Sequence, residues 1–488
     1  MIISPFYELH RDEYLHLDQG NHLDWGYISV PPVTSWISFL IKLLGNQVFW
    51  VKFFPALFGA LTIFVVWKTI EILKGNLFAL ILGSTGVLFS VLLRLNTLYQ
   101  PNSLDILCWA TFYYAIIRYF DSERQKWFFF AAFIFAFGFL NKYNIVFLLI
   151  GLFPAILITP QRNLLGKRNF YFAVLFGLLL ILPNLIWQYQ NNFPVVYHLK
   201  ELEATQLVHV SITEFLKSQI IFFIGSLFVI LAGLYALIFY NPFRRYKAFF
   251  WSFIFTLAVF IYFKAKDYYV IGLYPVYIAF GSVFLEKILN KGRKLWLRPV
   301  SILLPVLFFV PLFKYAFPNR TPEYIEKHHE KYSKLGMLNW EDGKEHELPQ
   351  DFADMLGWKE LAEKVDKAYS GLSDKENTII ICDNYGEAGA INYYSKVGLR
   401  AVSFNADYIN WFDLSKKYTN LIRVKEYSGS EEEIAETGPY FMKSSIAGTV
   451  DNKYSREYGT TVFVFQKAKA DVNGKIRKEI QEVKSRQK

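Results

Sequence analysis

The chain has 488 residues, 53% hydrophobic, 19% aromatic and 19% charged, with a formal charge of +10. That aromatic share and low charge exclude an entirely soluble protein, whose charged fraction runs nearer to about 25%. The positive balance does not point to nucleic acid, because much of it sits in short loops between apolar runs, where membrane topology accounts for it.

The N-terminal MIISPFYELHRDEY lacks the basic and apolar regions of a signal peptide, and no spanning segment precedes Asp12. Residues 10–32, HRDEYLHLDQGNHLDWGYISVPP, are rich in acids and histidines. Asp12 and Glu13 are adjacent carboxylates. One suits a general base on an acceptor hydroxyl, while the other orients a partner or a cation; a solvated acidic loop is the competing reading. Residues 31–44 form an amphipathic stretch that reads as an interfacial helix. The segment 1–47 is therefore an acidic loop with an interfacial helix.

A membrane domain follows over 48–317. A span needs roughly 20 apolar residues, and ten runs qualify as candidates: 48–73, 76–94, 102–120, 127–141, 143–159, 169–187, 215–240, 247–264, 268–289 and 299–317. One alternating set of loops carries most of the lysine and arginine, from Lys74 through Arg162, Lys167 and Arg245 to Arg298. The positive-inside rule places that set in the cytoplasm. Both chain ends, and the loops 95–101, 188–214 and 265–267, then lie outside. The aromatic, polar loop 188–214 lines the site on that side.

The outer loops hold the remaining candidates. Gln100-Pro101 breaks one run, and Asp105 falls in the first turn of the next, where an acid is costly unless paired or functional. It also favours a helix N-terminus electrostatically. Lys142 interrupts FGFLNKYNIVF, and Lys264 and Lys266 lie in FKAKDYY. Lysines at a membrane rim suit the phosphate of a lipid carrier, although snorkelling helix-end lysines are common. A carboxylate that removes an acceptor proton, with cations for a departing phosphate, is what sugar transfer from a lipid phosphate requires. His10, Arg11, Trp25, Tyr27 and Gln100 are expected to line the substrate site. Aspartates beside phosphates also suit Mg²⁺ or Mn²⁺, yet the sequence shows no compact ligand set.

HRDEY, LDWGY and PP, then QPNSLD, GFLNKY and LPNLIWQYQNNFP resemble, in order and spacing, the bacterial branch of the dolichyl-phosphate-mannose–protein mannosyltransferase-like family. That family belongs to the GT-C superfamily, beside the aminoarabinose transferases that modify lipid A. The resemblance implies a polytopic helical membrane fold and inverting transfer from a polyprenyl-phosphate-linked sugar to an envelope acceptor. It places the work on the periplasmic face of a bacterial inner membrane. It implies a catalytic carboxylate at Asp12 beside Glu13, a second-loop acid at Asp105, and a lysine at Lys142. The pattern departs in two places. A membrane helix precedes the acidic loop in the family and is missing here, which leads us to expect a misassigned or shortened start. Val30, and not histidine, precedes Pro31-Pro32, which weakens a metal or phosphate role there.

After a linker at 318–344, residues 345–470 read as a soluble α/β domain. DFADMLGWKELAEKVDKAY and YGEAGAINYYSKVG have helical spacing; TIIICD, RAVSFN and TTVFVFQ read as strands. NYGEAG lacks the pattern of a nucleotide loop, so the domain is expected to aid acceptor recognition or to act as a cap. The tail 471–488 is charged and expected to be disordered. A transporter or flippase, or a non-catalytic binder of lipid-linked sugars, is the alternative function. Charges clustered on one face, with no internal repeat, favour the enzyme.

Overall fold

The computed structural model describes residues 5–205 and 207–486. The outer segment forms α1 (Arg11–Gln19) and α2 (Val33–Leu43). The membrane bundle is built from α3 (Val48–Ile72), α4 (Leu77–Leu88), α5 (Val91–Leu95), α6 (Pro101–Ser122), α7 (Lys126–Asn141), α8 (Ile145–Leu157), α9 (Arg168–Gln190), α10 (Pro194–Thr205), α11 (Ile212–Phe222), α12 (Leu227–Phe239), α13 (Lys247–Tyr262), α14 (Tyr274–Ile288) and α15 (Leu297–Ala316).

All ten expected runs fall on helices, but among the described residues four helices are by length and composition fit to cross a membrane, or up to six if two bent pairs each count as one span. The run 215–240 is not one helix: α11 and α12 meet at 100°. A turn of 105° likewise separates α8 from the 3₁₀ segment Pro160–Gly166. Asn141 and Lys142 end α7, as the polar interruption predicts.

The helix α14 is the centre of the bundle, buried on nearly every side. It packs on α12 through Gly281 and Gly233. A Cβ on Gly281 would lie 1.8 Å from the Val229 carbonyl oxygen, and one on Gly233 would lie 2.4 Å from that of Tyr277. Small residues at such crossings let helix backbones approach closely, which is a main source of packing attraction where lipid supplies no hydrophobic drive.

The linker region is packed, with α16 (Pro322–Lys327) and α17 (His329–Lys334) contributing Ile325 and Tyr332 to a small core that includes Tyr7 and Phe352. The outer domain then comprises α18 (Gln350–Ala353), α19 (Trp358–Ser370), β1 (Thr378–Cys382), α20 (Tyr385–Tyr394), β2 (Ala401–Ser403), β3 (Asn420–Lys425), α21 (Tyr427–Ser430), α22 (Glu433–Thr437), β4 (Phe441–Thr449), β5 (Thr461–Ala468) and α23 (Val472–Arg486). Its sheet runs β2-β1-β3-β5-β4. The β1 strand is parallel to β2 and β3, while β5 is antiparallel to β3 and β4.

Two expectations are corrected here. The charged tail is a helix as far as Arg486, because Val472, Ile476 and Ile480, four apart, lay one apolar stripe on the sheet; its last two residues lie outside the described residues. The outer segment and the soluble domain are not separate bodies either. Leu9, Tyr14, Leu15 and Leu17 share one core with Trp358, Leu361, Ile380 and Ile391.

Candidate active site

The helix α1 begins with a reciprocal cap. The His10 side chain accepts from the Asp12 N–H at 3.2 Å, and Glu13 Oε2 accepts from the His10 N–H at 2.7 Å. This satisfies first-turn donors and fixes the directions of two neighbouring carboxylates. They point to different places.

Glu13 is fully buried. Its oxygens accept from Lys52 Nζ of α3 at 2.5 and 2.7 Å and from the Tyr99 N–H at 2.7 Å. With every direction filled, Glu13 is the clamp that holds α1 on the bundle. This corrects its reading as a second catalytic group.

Asp12 faces the other way. Its Oδ1 accepts from the Tyr385 hydroxyl at 2.7 Å, and its Oδ2 accepts from Gln100 Nε2 at 3.0 Å. The side chain lies deep among its neighbours yet stays 34% exposed. Burial pushes its pKa up, but the positive charge of His10 and Arg11 and the Tyr385 hydroxyl outweigh burial and hold it below the ordinary aspartate value. The group is therefore ionised at neutral pH. His10 stands between Asp12, at 3.8 Å, and Asp354, at 3.7 Å. The Arg11 guanidinium lies over the Tyr385 ring, 4.6 Å from its centre.

From Asp12 the polar contacts continue into the membrane domain. Gln100 Oε1 accepts from Asn102 Nδ2 at 3.0 Å, and Asn102 Oδ1 accepts from Lys142 Nζ at 2.6 Å. Asn141 Nδ2 donates to the Pro101 carbonyl at 2.9 Å. The QPNSLD and GFLNKY motifs, some forty residues apart in the chain, are thus bonded directly to one another. Lys142 Nζ also lies over the rings of Tyr269 and Tyr268, 4.2 and 5.4 Å from their centres. Asp105 is buried behind this point. Its oxygens accept from Trp109 Nε1 at 3.1 Å and Asn144 Nδ2 at 3.0 Å, so it secures the break between α7 and α8 and does not open to the site.

The other candidates separate. Lys266 stands near Lys142, over the Tyr268 ring, and donates to Glu341 at 2.7 Å. Lys264 is exposed at the end of α13. Trp25 is half-exposed, edge-on to Trp36. Tyr27 is buried, and its hydroxyl donates to the His22 carbonyl at 2.8 Å. It folds the loop 22–27 and is itself 3% exposed, which corrects its reading as a lining residue. A Mg²⁺ or Mn²⁺ ion at this point would draw on Asp12 and not on Glu13.

The sequence reading missed Tyr385, Asn102 and Asp354. The NYGEAG segment serves close packing: a Cβ on Gly389 would lie 2.7 Å from Tyr14 Cβ. That approach lays α20 on α1 and delivers Tyr385 to Asp12.

In this chain a helical bundle and an α/β cap meet over a carboxylate and a lysine. Residues 29–187 match the dolichyl-phosphate-mannose-protein mannosyltransferase family. The matched stretch holds Gln100, Asp105 and Lys142 and begins after Asp12. The chain is similar to a lipid A galacturonosyltransferase, RgtD, of Rhizobium johnstonii, at 26% identity over 198 residues, 39% of this chain and 41% of that relative. The alignment thus spans about two fifths of the relative's length. Its fold is that of ArnT from Cupriavidus metallidurans, solved bound to undecaprenyl phosphate, with a TM-score of 0.59, 12% identity and 94% of each chain covered. The apo form of that protein gives the same TM-score at 13% identity, again over 94% of each chain. Part of the chain is thus similar to a mannosyltransferase family and to a lipid A transferase, and its fold as a whole is like that of ArnT.

Proposed function

We propose that this chain is a membrane glycosyltransferase that moves a sugar from a polyprenyl-phosphate donor to an envelope acceptor, with Asp12 as general base. The observation that carries the reading is the continuous contact path Tyr385–Asp12–Gln100–Asn102–Lys142. It sets an ionised, accessible carboxylate and a cation in one frame.

Each Asp12 oxygen holds one hydrogen bond and keeps a lone pair for an acceptor hydroxyl. The hydroxyl gives its proton to Asp12 as its oxygen bonds to the anomeric carbon. The bond from that carbon to the phosphate oxygen breaks, and the lipid phosphate leaves with the electron pair. Lys142, with Lys266 beside it, stabilises the charge that develops there. One presented carboxylate suits a single displacement, which inverts the anomeric centre. Asp105 acts by positioning the segment that carries Lys142. The basic loops opposite this end of the bundle favour an active site on the periplasmic side of a bacterial inner membrane. An ArnT solved with undecaprenyl phosphate and a relative named for lipid A support the donor class and an envelope acceptor.

The test is transfer in membranes supplied with labelled polyprenyl-phosphate sugars, comparing the wild type with Asp12→Asn. Asparagine keeps an oxygen for Tyr385 but cannot take a proton. Transfer should fall by about 10²–10⁴-fold at unchanged expression and Tm. Wild-type transfer by Asp12→Asn would sink the assignment of the base.

A further inference from the structure

The cap holds a second group of carboxylates that sugar transfer does not use. Glu387 is the third residue of α20 and is fully buried. Its Oε2 accepts from the Asp383 and Asn384 N–H groups at 2.9 and 3.2 Å, while Oε1 has no hydrogen-bond donor. Glu457, 3% exposed, comes from the loop between β4 and β5 and accepts from Thr460 Oγ1 at 3.2 Å. Glu426 follows β3, is exposed, and accepts from Asn384 Nδ2 at 2.8 Å. One oxygen from each of the three lies within 4.8 Å of the other two.

The cations nearby only partly neutralise this group. Arg11 is shared among Asp354, Glu457 and Asp12, and Arg456 Nη1 lies 3.3 Å from Asp354. Five carboxylates (Asp12, Asp354, Glu387, Glu426, Glu457) therefore face two guanidiniums and the His10 imidazole. Asp383 next door is paired with Arg423 and Lys425. Burial, then the neighbouring Glu457 and Asp383, push the Glu387 carboxyl well above its usual range. A buried carboxylate with one unpartnered oxygen, set beside two further carboxylates, needs a shared proton or a counter-charge. An all-oxygen set suits a hard divalent cation, and three carboxylates suit Ca²⁺, since Mg²⁺ usually takes one or two. The exposed Glu426 provides an entry path, and water completes the coordination.

We propose that Glu387, Glu426 and Glu457 bind a divalent cation, Ca²⁺ by the number of carboxylates, at the start of α20. The residue after Asn384 is Tyr385, the donor to Asp12, so the ion locks the end of α20 that touches the active site. Only this last consequence rests on the proposed transferase reading.

The experiment uses the full chain in detergent, stripped with EDTA. Tb³⁺ is added and its emission sensitised through Trp358, whose ring packs against Gly386. Saturable emission displaced by Ca²⁺, a Tm several degrees higher in Ca²⁺ than in EDTA, and at least tenfold weaker binding by Glu426→Gln are expected. Glu426 is exposed, so that variant keeps the wild-type Tm in EDTA. Absence of saturable emission, equal affinity in Glu426→Gln, or displacement by Mg²⁺ but not Ca²⁺ would overturn the proposal. So would a Tm indifferent to Ca²⁺ that climbs as pH falls, the signature of a proton shared by Glu387 and Glu457. None of these readouts depends on sugar transfer.

Discussion

Replacing Lys52 by methionine tests the division of labour between Asp12 and Glu13. The Lys52 ammonium supplies two of the four hydrogen bonds to Glu13, at 2.5 and 2.7 Å, and the backbone of Tyr99 and His10 supplies the others at 2.7 Å. Both side chains are buried. Lys52→Met leaves an ionised carboxylate with two backbone donors and no counter-charge. Breaking one side of a buried pair costs about 3–5 kcal/mol, whereas replacing both partners by neutral groups of similar shape is often close to neutral. Thermal denaturation in detergent should therefore rank wild type and Glu13→Gln/Lys52→Met together, with Lys52→Met far below, and the cycle should show strong coupling. Transfer measured on the same samples should survive in the double variant and be lost in Asp12→Asn. A Lys52→Met variant as stable as wild type would refute the clamp. A double variant of wild-type Tm with no transfer would return Glu13 to the chemistry.

Three further outcomes are expected. Tyr385→Phe removes a hydrogen bond that favours the Asp12 anion, so the Asp12 pKa rises and the acidic limb of the kcat/KM profile moves to higher pH; an unmoved limb would show that Tyr385 does not tune the base. Asp407 accepts from the Ile28 N–H and Gln19 Nε2 across the seam between cap and loop, and burial pushes its pKa up to about 6. A raised carboxylate contributes stability below its unfolded pKa that is lost as pH rises towards the folded one. Tm should thus fall between about pH 4 and 6 more steeply in wild type than in Asp407→Asn; parallel slopes would contradict this. Gly389→Ala puts a methyl 2.7 Å from Tyr14 Cβ and the Tyr408 hydroxyl, which should cost about 1–3 kcal/mol and lower transfer by withdrawing Tyr385. Transfer at the wild-type rate would show that the cap is not coupled to the site.

Apolar run length sufficed to identify a helical membrane bundle followed by a C-terminal α/β domain, because it is a local property of the chain. The same holds for the break at Lys142, where a polar residue beside apolar runs is conspicuous. Sequence could not separate Asp12 from Glu13. Adjacent helical residues point about 100° apart, and which one meets Lys52 depends on where α3 stands. Nor could it show that α1 belongs to the core of the cap, since Tyr14 and Trp358 are hundreds of residues apart. The strands β3 and β4 went unread for a related reason. NLIRVK is a short apolar run, and FMKSSIAGT is an exposed edge whose pairing with β5 supplies what its side chains do not. The tail helix rests on three residues spaced by four, too sparse a stripe to outweigh its charge until a sheet lay beneath it. What the sequence determined by itself was the solvent in which each segment must live and the acid and lysine to examine. What tertiary structure alone decided was which groups meet across that boundary, because hydrogen bonds and close contacts depend on ångström distances between segments that the chain order leaves far apart.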